Sequence, residues 1–173
     1  MGHAEPTSLT AGLLREWPLP VTSDEGTKHD RGTVHVIGGE DSTPGAVILA
    51  GMAALRVGAG RLTITTTSGT ATQVGVAVPE AMVLAGETSH GSLVGVTEEP
   101  CDCVVLGPGM TDADGDLVAR AVSSLGQSCL VVDAGALKAL PDELPRATVL
   151  TPNAAELEKL GASKGPTRPA PSG

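Results

Sequence analysis

The stretch from Thr33 to Gly60, TVHVIGGEDSTPGAVILAGMAALRVGAG, constrains the fold of this chain more than any other. Its first five residues alternate and are rich in β-branched side chains, which predicts a short strand. Gly38 and Gly39 follow, and two residues without a Cβ let the backbone turn sharply and approach a ligand. Residues 46–57 then form an apolar run with a single charge near its end, which predicts a helix buried on every side. The N-terminus of that helix points to the space above the strand's carboxyl end, where open α/β sheets bind ligands.

The composition fits a parallel sheet. The chain has 173 residues, which predicts one domain. Hydrophobic residues make up 40% of it but aromatic residues only 1%, so the core is expected to consist of Val, Leu, Ile and Ala. The formal net charge of −9 argues against a nucleic-acid partner. It does not argue against a small phosphorylated ligand, because main-chain amides at a helix N-terminus bind phosphate without any net positive charge.

The cysteines predict a reducing, cytoplasmic setting. There are three of them, Cys101, Cys103 and Cys129, an odd number without CxxC spacing. We expect buried thiols and no metal site, since no histidine or second cysteine pair completes a ligand set. No apolar run is long enough to span a bilayer, so we expect no membrane association.

Predicted strands alternate with helices along the chain, which favours an α/β fold with a largely parallel sheet and helices on both of its faces. The predicted strands are 33–37, 62–67, 81–84, 103–106, 129–132 and 149–150. The predicted helices are 9–17, 46–57, 114–125, 135–140 and 154–160, while 73–78 fits either a helix or a strand and 92–96 one further short element. Asn153 and Glu156 have the spacing of a capping box at the start of the last helix, and Gly161 is expected to end it. We divide the chain into a lead-in (1–27), one domain (28–161) and a disordered, proline-rich tail (162–173).

The candidate ligand-binding residues all follow predicted strands. They are Gly38, Gly39, Gly45 and Ala46 after the first strand, Gly107 and Gly109 after the fourth, Asp133 after the fifth, and Asn153 after the last. Taken singly, each has a plain structural explanation: a glycine turn, or an N-cap for Asp133 and Asn153. No dinucleotide fingerprint and no P-loop sequence is present. The combination predicts a pocket at one edge of the sheet, with Gly45, Ala46, Gly109 and Asn153 on its rim.

A series of short motifs resembles a known family. In order they are Val-x-Val-Ile-Gly-Gly (34–39), Pro-Gly-Ala (44–46), Ala-Ala-Leu-Arg-x-Gly-Ala-Gly (53–60), Pro-Glu-Ala-Met-Val (79–83), Leu-Gly-Pro-Gly (106–109), Val-Asp-Ala (132–134) and Leu-Thr-Pro-Asn-x-x-Glu-Leu (150–157). Each motif is weak alone, but as a series over 28–161 they resemble the ADP- or ATP-dependent NAD(P)H-hydrate dehydratases, which have a ribokinase-like fold.

The resemblance implies a reaction and a set of contacts. The hydroxyl of hydrated NADH or NADPH would be phosphorylated by ADP or ATP, with Mg²⁺, and then lost as phosphate. By position, Ala46, Gly109 and Asn153 would contact the hydrate, and the other residues named above would form the pocket rim. The resemblance also implies a homo-oligomer and, as a further partner, an NAD(P)H-hydrate epimerase.

The sequence departs from the family after Gly161. Family members continue to a Gly-Thr-Gly-Asp turn whose amides and aspartate would serve the transferring phosphoryl group, and this sequence has no such turn. We therefore assign no catalytic residue, and expect the chain to hold most of the substrate half without turning the hydrate over. A ribokinase-like small-molecule kinase and a non-catalytic binding remnant stay open as alternatives.

Overall fold

One seven-stranded sheet organises the molecule in the computed structural model, which describes residues 7–17, 31–89, 92–95, 100–123, 128–145 and 147–164. The spatial strand order is β4-β3-β2-β1-β5-β6-β7. The strands are β1 (Thr33–Ile37), β2 (Arg61–Thr67), β3 (Met82–Ser89), β4 (Ser92–Gly95), β5 (Cys103–Leu106), β6 (Cys129–Val132) and β7 (Thr148–Leu150). All pairs are parallel except β3 with β4, so six strands end at one edge, here called the carboxyl edge.

Among the described residues, five α-helices and one 3₁₀ helix accompany the sheet. They are α1 (Ala11–Glu16), α2 (Gly45–Arg56), α3 (Ala71–Ala77), α4 (Gly115–Ser123), the 3₁₀ helix (Ala134–Ala139) and α5 (Ala154–Lys164). The prediction of an α/β fold with a largely parallel sheet is confirmed. The ambiguous segment 73–78 is helical, and the expected short element at 92–96 is strand β4.

Two apolar clusters cover opposite faces of the sheet. On one face, α2 and α3 pack Val47 and Val74 against Val36 and Ile64. On the other face, the core contains residues of α4 and of the 3₁₀ helix together with alternate residues of β1, β5 and β6: Ile37, Val104, Leu106, Leu117, Val118, Leu130, Val132 and Leu137. This alternation along each strand is what a sheet with helices on both faces requires.

Strand β1 lies in the middle, between β2 and β5. The chain runs from β1 through α2 to β2 on one side, and later returns to place β5 on the other side of β1. The connections leave β1 and β5 in opposite directions, which opens a crevice between their carboxyl ends. The fold therefore has its topological switch point where the first glycine turn lies.

Helix α2 is not buried on every side, so that prediction was wrong. Val47 and Gly51 are fully buried, but Leu49 is 70% exposed and Val57, just after the helix, is 88% exposed. The reason is geometric: a single sheet covers one side of a helix. Gly51 lies so close to that sheet that a Cβ there would come within 2.9 Å of the Leu62 side chain.

The last helix also differs from the prediction. Helix α5 continues through Gly161 to Lys164. A glycine ends a helix when it adopts a positive φ, and Gly161 is not among the glycines that do so. Residues 1–6, 18–30 and 165–173 fall outside the described residues, so the lead-in boundary and the disordered tail stay predictions. Within the described residues, no helix is both long and apolar enough to cross a membrane.

Candidate functional site

The turns that follow β1 and β5 are paired along the crevice. The main-chain nitrogens of Gly39 and Glu40 donate to the carbonyl oxygens of Pro108 and Gly109, at 2.8 and 3.1 Å. The Thr43 hydroxyl also donates to the Gly109 carbonyl, at 2.6 Å. The two strands are therefore joined beyond their last residues, and the crevice has a continuous main-chain floor.

Glycine is required in both turns because the backbone of a neighbouring turn lies too close to leave room for a side chain. A Cβ at Gly38 would collide with the Pro108 carbonyl, and one at Gly107 with the Asp133 carbonyl. Gly109 has a φ of +73°, and a Cβ there would lie 2.7 Å from the Thr43 carbonyl oxygen and 2.9 Å from the Ala46 Cβ. The site thus brings Gly109 and Ala46, predicted from the sequence as substrate contacts, directly against each other.

The N-terminus of α2 forms the open wall of this crevice. Pro44 is the N-cap residue and makes no side-chain capping hydrogen bond, and the first turn contains no acidic residue. Gly45 is exposed, and a Cβ there would meet no atom within 4 Å. A helix start with these properties favours an anion or phosphate close to the backbone.

Four carboxylates in the turns at the carboxyl edge of the sheet accept hydrogen bonds. Glu40 accepts from the main-chain nitrogen and the hydroxyl of Thr111, each at 2.9 Å. The other three accept from a neighbouring hydroxyl or ammonium group: Asp41 from Thr67, Asp112 from Lys138, and Asp133 from Thr151. None of these hydrogen bonds involves a main-chain amide at the start of α2.

Sequence reasoning missed the side chains that join the turns: Glu40, Thr43, Thr111 and Lys138. The partners of Glu40 lie 71 residues away along the chain, and no periodic pattern links residues so far apart. For Glu40, Thr43 and Thr111 the only available signal was their position after predicted strands, and Lys138 lies inside the predicted helix 135–140.

Asp133 does not cap the 3₁₀ helix that follows it, which corrects one structural explanation considered for this residue. Its carboxylate accepts from the Thr151 hydroxyl at 2.9 Å instead. Asp133 therefore joins the carboxyl ends of β6 and β7. It lies two strands from β1, away from the contact between Gly109 and Ala46.

Asn153 makes the predicted capping box. Its side-chain oxygen accepts from the Glu156 main-chain nitrogen at 3.0 Å, while its own main-chain nitrogen donates to Glu156 Oε2 at 2.8 Å. The capping role uses the amide oxygen, so the NH₂ group of this exposed side chain takes no part in the capping box. Asn153 lies at the same edge of the sheet as Ala46, but after β7, the third strand from β1.

The one histidine among the described residues is buried in the core. His35 is 2% exposed, and its Nε2 lies 2.7 Å from the Thr65 hydroxyl. Burial lowers the pKa of His35 from 6.5 to about 4. A neutral imidazole buried in mid-strand is a packing residue.

The three cysteines lie at the opposite end of the sheet and are free thiols. Cys101 and Cys103 are half-buried, and Cys129 is exposed, so the prediction of buried thiols was wrong for Cys129. Burial raises the pKa of Cys101 to about 11 and also raises that of Cys103. Thiols of this kind are poor nucleophiles at neutral pH.

The described residues hold no cluster of three or more His, Cys, Asp or Glu side chains suited to a metal ion. We assign no ligand among them to the Mg²⁺ that the resemblance implies, since Mg²⁺ is usually held by one or two carboxylates together with substrate phosphates. The chemistry that this edge of the sheet supports is the binding of a phosphorylated small molecule by main-chain groups.

Fold and site together define a ribokinase-like α/β protein. A ribokinase-like superfamily protein of Enterococcus faecalis superimposes with a TM-score of 0.71 at 22% identity, covering 91% of this chain and 59% of that one. An ADP/ATP-dependent NAD(P)H-hydrate dehydratase of Bacillus subtilis, co-crystallised with ATP and Mg²⁺, superimposes with a TM-score of 0.66 at 28% identity. That match covers 83% of this chain and 52% of the other.

Within that class, the chain belongs to the NAD(P)H-hydrate dehydratase family, whose model matches residues 34–167. An ADP-dependent (S)-NAD(P)H-hydrate dehydratase of Xanthomonas campestris is 42% identical to it over 176 residues. The match covers 95% of this chain and 60% of the relative. The chain thus spans somewhat more than half the length of this relative, and the predicted family resemblance is confirmed.

Proposed function

We propose that this chain binds hydrated NADH or NADPH at the carboxyl edge of its sheet. We further propose that it contributes this substrate site to the ADP- or ATP-dependent dehydration that restores the reduced nicotinamide. The observation that carries the proposal is the contact between Gly109 and Ala46 beside the open N-terminus of α2, in a chain of the dehydratase family.

The local chemistry supports a dinucleotide. A pyrophosphate placed at the start of α2 would meet main-chain N–H groups and the positive end of the helix dipole. Gly45 has no side chain that would keep the pyrophosphate away from the backbone. The carbonyl of Gly109 already accepts a hydrogen bond from the Thr43 hydroxyl, which fixes its position. The NH₂ group of Asn153 is the one uncommitted part of its side chain and would donate to an oxygen of the ligand.

The family match favours this function over the small-molecule kinase that the fold alone would allow. ADP or ATP is proposed as the phosphoryl donor, with no described residue assigned to it. The homo-oligomer, the epimerase partner, the cytoplasmic setting that the free thiols support, and the absence of turnover by a 173-residue polypeptide stay predictions.

The test is a binding titration with purified NADPH hydrate, monitored by calorimetry. Gly45→Leu places a side chain over the start of α2 where the fold leaves open space, so the protein should fold while binding falls about tenfold or more. The matched control is Gly161→Leu, which also adds a side chain in open space on a helix, but in the third turn of α5.

We expect the control to bind like the unaltered chain. Equal affinities for the two variants would show that the hydrate does not lie over the start of α2. No measurable binding by the unaltered chain would refute the proposed function.

A further inference from the structure

The Glu40 side chain joins the two turns that form the crevice. It lies in the turn after β1, is 9% exposed, and holds Thr111 in the turn after β5 through two hydrogen bonds of 2.9 Å. The main chain of Glu40 adds a third link, since its nitrogen donates to the Gly109 carbonyl. Both ends of the Gly109–Thr111 segment are therefore tied to one residue of the opposite turn.

The link extends to a third turn. The carbonyl oxygen of Thr111 accepts from Lys138 Nζ at 2.9 Å, and Lys138 lies in the 3₁₀ helix after β6. A carboxylate at one end and an ammonium at the other thus polarise the same residue, Thr111. Hydrogen bonds with charged partners are shorter and stronger than neutral ones, and chains of them strengthen each other.

Stability alone does not explain a carboxylate at this position. Burying a charge costs desolvation energy, and an apolar side chain of similar size often stabilises a fold equally well or better. The carboxylate instead fixes the orientation of Thr111, because its two oxygens accept hydrogen bonds from the main chain and from the side chain of that residue.

We propose that Glu40 is a positioning residue for the hydrate site: it holds Gly109 against the N-terminus of α2. This inference rests on the proposed function. The two hydrogen bonds from Thr111 to the Glu40 side chain are here called the clamp. Without it, the turn after β5 would keep its main-chain links, but its Thr111 end would have to be ordered by the ligand, and that cost would appear as weaker binding.

The same two strands carry a matched control at their amino ends. Asp102 precedes β5, and its carboxylate accepts from the main-chain nitrogen of Thr33, the first residue of β1, at 2.7 Å. Asp102→Ala therefore removes a carboxylate-to-amide link between the same two strands, at the edge of the sheet away from the site. Asp102 is exposed whereas Glu40 is 9% exposed, so thermal unfolding measures the structural cost of each change, and binding is compared where both variants are folded.

The experiment compares four proteins by thermal unfolding and by titration with NADPH hydrate: the unaltered chain, Glu40→Ala, Glu40→Gln and Asp102→Ala. We expect Glu40→Ala to bind about tenfold more weakly, and Asp102→Ala to bind like the unaltered chain. Glu40→Gln should restore binding to within about threefold. Its oxygen can accept from the Thr111 amide, and its NH₂ group can donate to the Thr111 hydroxyl, so both links survive.

The outcomes separate the two proposals. If the unaltered chain binds the hydrate and Gly45→Leu weakens binding, but Glu40→Ala does not, the clamp is refuted and the site stands. Equal weakening by Glu40→Ala and Asp102→Ala would also refute positioning, since the effect would follow general stability. If the unaltered chain does not bind, both the proposed function and the positioning role are refuted.

Discussion

The buried His35 makes stability depend on pH in a way that the structure quantifies. Its pKa in the folded chain is about 4, against 6.5 for an exposed histidine. The folded state therefore holds the neutral imidazole, while the unfolded state gains a proton as the pH falls through 6.5. The contribution of His35 to stability is fully present above this range and is lost progressively as the pH falls toward 4.

The magnitude follows from linkage. One unit of pKa difference corresponds to about 1.4 kcal/mol. Integrating between the two pKa values gives a loss of about 2 kcal/mol in the free energy of unfolding from roughly pH 7.5 to roughly pH 5. A domain typically has a free energy of unfolding of about 5–15 kcal/mol, so this loss is a large fraction of the total. It is on the order of the cost of losing a helix cap or of shortening a buried apolar side chain.

The assay is urea unfolding of the unaltered chain and of His35→Gln at a series of pH values. The carboxylates titrate in both proteins, so the difference between their plots of unfolding free energy against pH isolates His35. We expect the unaltered chain to lose about 2 kcal/mol more than the variant over this range. Parallel slopes, or a His35 pKa near 6.5 by NMR in the folded chain, would refute the reasoning.

Three further predictions concern the site and the surface. Asn153→Ser should keep the cap but lose the NH₂ group, and so weaken hydrate binding. Glu156→Ala should lower the free energy of unfolding by about 0.5–1 kcal/mol and leave binding unchanged, and equal binding by the two variants would contradict a ligand contact of Asn153. Gly109→Ala should destabilise the chain by about 1–3 kcal/mol, because its φ is +73°, whereas Gly45→Ala should stabilise it by about 0.4–1 kcal/mol; denaturant unfolding would contradict this if the order were reversed. The 173-residue polypeptide should self-associate through exposed apolar residues such as Leu49, and Leu49→Lys should shift it toward monomer in sedimentation; a sharply monomeric unaltered chain would count against this.

The local elements could be predicted from the sequence because each depends on neighbouring residues. The strands Thr33–Ile37, Cys103–Leu106 and Cys129–Val132 agree with prediction at both ends, since each is a short β-branched or apolar run bounded by turn residues. The capping box of Asn153 likewise depends on two residues three positions apart. Patterns of this kind are visible along the chain without knowledge of the tertiary structure.

What could not be predicted depends on contacts between distant parts of the chain. The exposure of Leu49 follows from which side of α2 meets the sheet, and a helix that is apolar all round does not reveal that side. The clamp from Glu40 to Thr111 joins two turns that only the strand order brings together. The candidate residues could be predicted to lie at one edge of the sheet, but the contact of Gly109 with Ala46 depends on how the turns after β1 and β5 pack together.

The central claim is that the hydrate lies in the crevice between β1 and β5. The most direct measurement is a titration of ¹⁵N-labelled chain with NADPH hydrate, followed by amide chemical shifts. The account predicts saturable shifts for Gly45, Ala46 and Gly109, and none for Thr33 or Asp102 at the amino edge of the sheet. Shifts confined to the amino edge, or none at saturating hydrate, would contradict it.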